Sequence, residues 1–103
     1  MAIGVTTGGS NSFAQRRMTS GAEFLNYNLY TSSARSTILG TGTGGSSTVT
    51  CTVGQSSTDC VGSNPSGGTR VAVRTLYGRV TQLQNVTGAG GQFTDTLTVN
   101  VTF

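Results

Sequence analysis

From Phe93 onward apolar and polar positions alternate almost strictly to the last residue. One set is Phe93, Asp95, Leu97, Val99, Val101 and Phe103; the other is Thr94, Thr96, Thr98, Asn100 and Thr102. Successive side chains of a strand point to opposite faces, so this pattern predicts a half-buried β-strand with one apolar and one hydroxyl-rich face. It follows the Gly90–Gly91 pair and runs to Phe103 with no turn signal after it. Such a strand either sits inside a finished sheet or lies beside a gap that a partner fills. A second alternation covers Ala22 to Tyr30, with Leu25, Tyr27 and Leu29 on one face and Phe24, Asn26, Asn28 and Tyr30 on the other. A helix competes for this stretch, but its asparagines and tyrosines favour a strand. A third long strand is expected over Thr69 to Leu83, with Val71, Val73, Thr75 and Tyr77 on one face and Gly78 marking a bulge or bend.

The remaining pattern is shorter. Ala2 to Thr7 reads as a strand stopped by Gly8-Gly9-Ser10-Asn11, and Phe13 to Ser20, with Arg16-Arg17-Met18 in a polar setting, reads as loop. Ser36 to Leu39 is a short edge piece before the loop Gly40 to Gly45. Thr48 to Val61 is expected to be a hairpin, Gly62 to Gly68 a loop holding the single proline, and Asn85 to Gly91 the turn into the final strand. Short strands separated by Gly, Ser and Asn turns indicate an all-β antiparallel sandwich, and without internal repeats or a linker a single domain spans 1–103.

Composition supports a β-rich chain. Of 103 residues 34% are hydrophobic, only 9% are charged and 16 are glycine. Disordered chains are usually highly charged and poor in β-branched residues, whereas this one is rich in Thr and Val. The net charge of +3 comes from arginine alone, since there is no lysine. The arginines are scattered, form no run beyond Arg16-Arg17 and have no aromatic platform beside them, so nucleic acid is not the expected partner. No stretch is long and apolar enough to span a membrane, and Met1-Ala2-Ile3-Gly4-Val5 lacks the basic and apolar regions of a signal peptide.

Cys51 and Cys60 are the only cysteines. With no histidine and with Glu23, Asp59 and Asp95 as the only acids, they cannot complete a zinc site, and no metal or other cofactor is expected. The preferred reading is a local disulfide, because Thr48-Val49-Thr50 and Val61 flank a turn-like spacer; free thiols in a reducing compartment are the alternative. A disulfide implies the periplasm or the cell exterior. An exported chain without an export signal suggests processing or truncation.

The residues for common chemistries are missing. Without histidine or lysine there is no usual general base and no Schiff-base nucleophile. A carboxylate pair, Glu23 with Asp95, is the remaining catalytic option. The plainer reading puts Glu23 at a strand start and Asp95 on a turn or an arginine, and no enzyme is expected. The Gly40–Gly45 run lacks the lysine and following helix of a phosphate-binding loop.

Arg16-Arg17-Met18, Tyr27-Asn28-Leu29-Tyr30-Thr31, Tyr77-Gly78-Arg79-Val80 and Gly91-Gln92-Phe93-Thr94-Asp95-Thr96 leading to a terminal Phe103 occur in this order. Together they resemble the spore coat protein U domain, a family that includes the subunits of archaic chaperone–usher pili. Two features depart from that pattern: Leu39-Gly40 stands where the family often has a tryptophan before the glycine loop, and Ala2-Ile3-Gly4-Val5 resembles a strand from the middle of the domain. The chain therefore resembles the C-terminal two-thirds of such a domain.

The resemblance implies an immunoglobulin-like sandwich lacking its last strand. A periplasmic chaperone, and then the N-terminal extension of the next subunit delivered at an outer-membrane usher, would supply that strand. The partner-strand groove would be bordered by Phe93, Leu97, Val99, Val101 and Phe103, which are also expected to pack into the core. The implied role is a structural subunit of a surface fibre or spore coat, supporting adhesion or biofilm formation. A secreted carbohydrate-binding β-sandwich using tyrosines and asparagines is the alternative. A truncated, non-assembling fragment is a third reading.

Overall fold

The computed structural model of the chain describes residues 1–52, 54–56, 59–63 and 71–102. Among the described residues eight strands carry the fold: β1 (Ala2–Val5), β2 (Arg16–Ser20), β3 (Glu23–Tyr30), β4 (Val49–Thr50), β5 (Cys60–Ser63), β6 (Val71–Arg74), β7 (Tyr77–Val80) and β8 (Val99–Thr102). Among the described residues the single helical piece is the 3-10 turn Gly8–Ser10. The strands form sheets in the orders β4-β1-β8, β2-β3-β7 and β5-β6, and all their pairings are antiparallel. The chain is thus an all-β antiparallel sandwich, as its periodicity and turn residues predict.

The core is small. Ile3 and Val5 of β1, Val49 of β4, Leu39, and the two cysteines are buried, with Met1, Leu29 of β3, Ala72 of β6 and Leu97 packed against them. Contributions from three sheets meet there because each brings one apolar face, and none can bury that face alone. On β1 the alternation is tight: Ile3 and Val5 face the core while Gly4 lies under the 40–48 loop. A Cβ on Gly4 would come within 3.1 Å of the Gly40 carbonyl oxygen, so a larger residue would push the loop back by a few tenths of an ångström.

Several elements differ from the sequence pattern, each for a physical reason. The expected loop Phe13–Ser20 contains β2, paired with β3 from Arg16↔Tyr27 to Ser20↔Glu23. Its inward residue is an arginine, which breaks the apolar signal of a strand. Among the described residues the expected hairpin Thr48–Val61 does not form: Val49 pairs with Ile3 on β1, whereas Val61 pairs with Val73 on β6. Both ends find apolar cross-strand partners elsewhere, and such pairs are what stabilise a ladder. The expected strand Thr69–Leu83 is two strands, β6 and β7, in different sheets. The break falls at Thr75–Leu76, where the Thr75 amide donates to the Asp59 carbonyl at 2.9 Å. Gly78 is an ordinary ladder position opposite Leu29 rather than a bulge. The piece Ser36–Leu39 reduces to isolated bridges at Ile38 and Leu39. Of the Gly62–Gly68 loop, Gly62 and Ser63 belong to β5 and the rest lies outside the described residues.

The terminal alternation also divides. Thr94 bridges to Thr19 on the β2 sheet, and regular pairing resumes only at Val99, on β1 of the other sheet. Asp95 marks the division. Its carboxylate accepts the Thr96 amide at 2.9 Å, an own-backbone bond of the kind that takes aspartate out of a ladder.

Candidate partner-strand groove

β8 lies at the end of its sheet, with β1 on one side and, among the described residues, no strand on the other. Its register places Val101 opposite Ile3 and Val99 opposite Val5. Residues paired directly across an antiparallel ladder share a face, so Val99 and Val101 lie on the same face as the core residues. Yet Ile3 and Val5 are 8% and 1% exposed, whereas Val99 and Val101 are 55% and 45% exposed. One step outward along the sheet the covering layer ends. The expectation that these valines pack into the core is therefore not met: they form an open apolar shelf beside a free strand edge. Leu97 is half-buried against the core, Phe93 is half-buried upstream, and Phe103 lies outside the described residues.

The segment entering β8 is held by a polar network. The Asp95 carboxylate accepts the Tyr27 hydroxyl at 2.6 Å and the Gly9 amide at 3.0 Å. Gly8 has φ +70°, and a Cβ there would run into that carboxylate, so glycine is required for the contact. Next to this anchor the Arg16 guanidinium, 0% exposed, joins the two main sheets. It donates to the carbonyls of Thr6 and Val5, at 2.8 Å and 3.1 Å, and to Asn28 Oδ1 at 2.8 Å. Asn28 in turn donates to the Phe13 carbonyl at 2.8 Å. Burial lowers the pKa of Arg16, while Tyr27 and Asp95 pull it back up. Burial likewise raises the pKa of Tyr27, and its bond to Asp95 adds to the effect. Downstream, the Thr6 amide donates to the Thr98 carbonyl at 3.0 Å, and the Thr98 amide to the Thr6 hydroxyl at 2.9 Å, extending the β1–β8 ladder past Val5.

Three of the four sequence motifs therefore supply the network around Arg16, Tyr27, Asn28 and Asp95, and the fourth, as β7, pairs with the second on β3. Arg16 is the residue that reading for periodicity missed. The only signal for it is the Arg-Arg pair itself, which resembles solvated surface.

Cys51 and Cys60 are joined in a disulfide with Cα atoms 5.7 Å apart. The bridge does not close a hairpin; it ties the end of β4 to the start of β5, linking the β5–β6 ribbon to the β4-β1-β8 sheet. The two carboxylates considered for catalysis have separate structural partners. Glu23, at the start of β3, accepts from the Thr87 amide and hydroxyl and from the Gly88 amide at 2.9, 2.6 and 3.1 Å, whereas Asp95 holds Tyr27 and Gly9. The Thr87 hydroxyl bond, with the backbone bonds behind it, lowers the pKa of Glu23. Among the described residues no cluster of His, Cys, Asp or Glu is suited to a metal ion. Nor, among them, is any helix long and apolar enough to cross a membrane.

Compared with known proteins, residues 1–100 match a family model described as the Spore Coat Protein U domain. Comparisons with curated proteins and with solved structures find no match.

Proposed function

The chain belongs to the spore coat protein U family, and from that premise we propose that it is a non-enzymatic structural subunit of a bacterial surface fibre or spore coat. The family is associated with the subunits of chaperone–usher pili. In this reading residues 1–103 act as one sandwich, the C-terminal portion of the family domain. It lacks a strand, which a periplasmic chaperone lends first and a neighbouring subunit replaces at the outer-membrane usher. The product is a surface polymer that supports adhesion or biofilm formation.

One observation carries the proposal: Val99 and Val101 share the core-side face with Ile3 and Val5 but stand 55% and 45% exposed at an open strand edge. A free edge beside uncovered apolar surface is an aggregation hazard unless another strand covers it. An added strand supplies main-chain hydrogen bonds for affinity and side-chain pockets for specificity. Leu97 continues the same face toward the core, Phe103 is assigned to its far end by the sequence alternation, and Phe93 lies upstream of the division at Asp95.

Assembly assays on Val101→Ser, Phe103→Ser, Thr98→Ala and Asn100→Ala test the coupling role. The two apolar variants are expected to abolish chaperone capture and polymer formation, and the other two to assemble nearly as the parent does. Full assembly after Phe103→Ser, or equal loss from both faces of the strand, would overturn the proposal.

A further inference from the structure

A second surface feature lies on the other main sheet. Tyr30 of β3 and Tyr77 of β7 are directly opposed, and Arg79 follows two residues along β7 on the same face, opposite Asn28. The chain leaves β7 through Thr81 and Gln82, so that Tyr30, Arg79, Val80, Thr81 and Gln82 line one surface groove. Elsewhere the longer polar side chains are largely engaged: Tyr27 on Asp95, Tyr77 on Asp59, and Gln84 on Asn26. In the groove they are not. Among the described residues the Tyr30 hydroxyl, the Arg79 guanidinium and the Gln82 amide make no hydrogen bond or ion pair.

The surroundings are cationic. Arg35 donates to the Gly78 carbonyl at 3.2 Å and Arg74 to the Thr31 carbonyl at 3.0 Å, placing two further guanidinium groups beside the tyrosine pair. The carboxylate seen here, Asp59, is already engaged by the Tyr77 hydroxyl. Positive charge in a concave site concentrates anions. A guanidinium fork matches a carboxylate in bidentate geometry, which an ammonium does not. Binding sites typically combine apolar or aromatic walls with a few convergent polar groups, and here Tyr30 supplies the aromatic wall.

We propose that this groove binds an acidic saccharide. The Tyr30 ring stacks on the C–H face of a pyranose, Arg79 pairs with a uronate carboxylate, and Thr81 and Gln82 take ring hydroxyls. The fold builds this site by setting Tyr30 of β3 beside β7 and the residues that follow it, distant in sequence. It belongs to the β2-β3-β7 sheet rather than to the one carrying β8, so it stands or falls independently of the partner-strand reading.

The test is titration of the whole chain with tri-galacturonate, followed by amide chemical shifts. Shifts are expected at Tyr30 and at Arg79 to Gln82, with at least about tenfold weaker binding for Arg79→Gln and for the neutral counterpart galactotriose. Gln82→Ala, which lies outside every strand, is expected to weaken binding severalfold and provides the readout if Tyr30→Ala fails to fold. Leu83→Ser, at a position 97% exposed and outside the groove, should bind as the parent does. No shifts at these residues, equal affinity for galactotriose, unchanged affinity in Arg79→Gln, or displacement by an equal concentration of inorganic sulfate would each overturn the saccharide assignment.

Discussion

At the scale of single residues, Arg16 and Tyr27 hold the interior polarity of the sandwich. Arg16 satisfies two carbonyls at the end of β1 and the amide oxygen of Asn28 on β3, so one side chain fixes how the two main sheets meet. Lysine keeps the charge but loses the planar fork. Arg16→Lys is expected to leave an acceptor unpaired and to cost about 1–3 kcal/mol in urea unfolding, with unchanged far-ultraviolet dichroism. Tyr27→Phe removes the hydroxyl that the Asp95 carboxylate accepts, and hydrogen bonds to charged groups contribute roughly 1.5–3 kcal/mol. The same residue gives a pH dependence. Its folded pKa is raised above the ordinary value of 10.0, so the fold favours the protonated phenol. That contribution is whole below the unfolded pKa and is lost as pH rises toward and through the folded one. Thermal melts above pH 10 should therefore fall more steeply for the parent than for Tyr27→Phe. Parallel curves would show that Tyr27 is not the group responsible. Glu23 works in the opposite direction: its lowered pKa makes its clasp on Thr87 and Gly88 present at neutral pH and lost on acidification.

At the scale of elements, the disulfide is a join between sheets. Closing a loop of this length contributes about 2.7 kcal/mol in the chain-entropy model. Cys51→Ala with Cys60→Ala should lose about that much, somewhat more if the buried sulfur atoms leave space behind. Because the bridge attaches the β5–β6 ribbon, hydrogen-exchange protection at Val61 and Val73 should fall before protection at Leu25 or Met18 on the β2–β3 ladder. Uniform loss of protection would instead mean that the bridge acts only on the unfolded chain. These elements also show what the sequence made legible. The pattern over Ala22–Tyr30 identifies β3 because each of its faces meets a distinct environment. The continuous alternation over Thr69–Leu83 hides a break, because period two is kept through Thr75–Leu76 while the hydrogen-bond partner changes from β5 to β3. Periodicity reports which face a residue takes, not which strand lies alongside.

At the scale of the whole molecule, the chain is extended for its size. Its radius of gyration is 15.9 Å and its extents are 52 × 28 × 22 Å, whereas a compact domain of about 100 residues has a radius near 13 Å. A small core and an uncovered apolar shelf at β8 match that shape. Stability of the isolated chain should therefore depend on what covers the shelf. A strand-donating partner in 100-fold excess over its dissociation constant would add about 2.7 kcal/mol by mass action. The gain should appear as a higher melting temperature and as new exchange protection at Val99 and Val101. A partner that raises the melting temperature while leaving those amides unprotected would be bound elsewhere.

The sequence by itself determined the secondary structure class, the partition of apolar and hydroxyl faces on the long strands and the family, and it favoured the cysteine pairing that the structure holds. Each of these depends on local chemistry or on spacing along the chain. Only the tertiary structure decided that Arg16 belongs inside, that Cys51 and Cys60 join two sheets, that Tyr30 meets Tyr77, and that Val99 and Val101 stay open. These depend on which strand lies beside which. A buried arginine has the same letter as a solvated one, and becomes an interior residue only when carbonyls from another strand arrive to accept its hydrogen bonds.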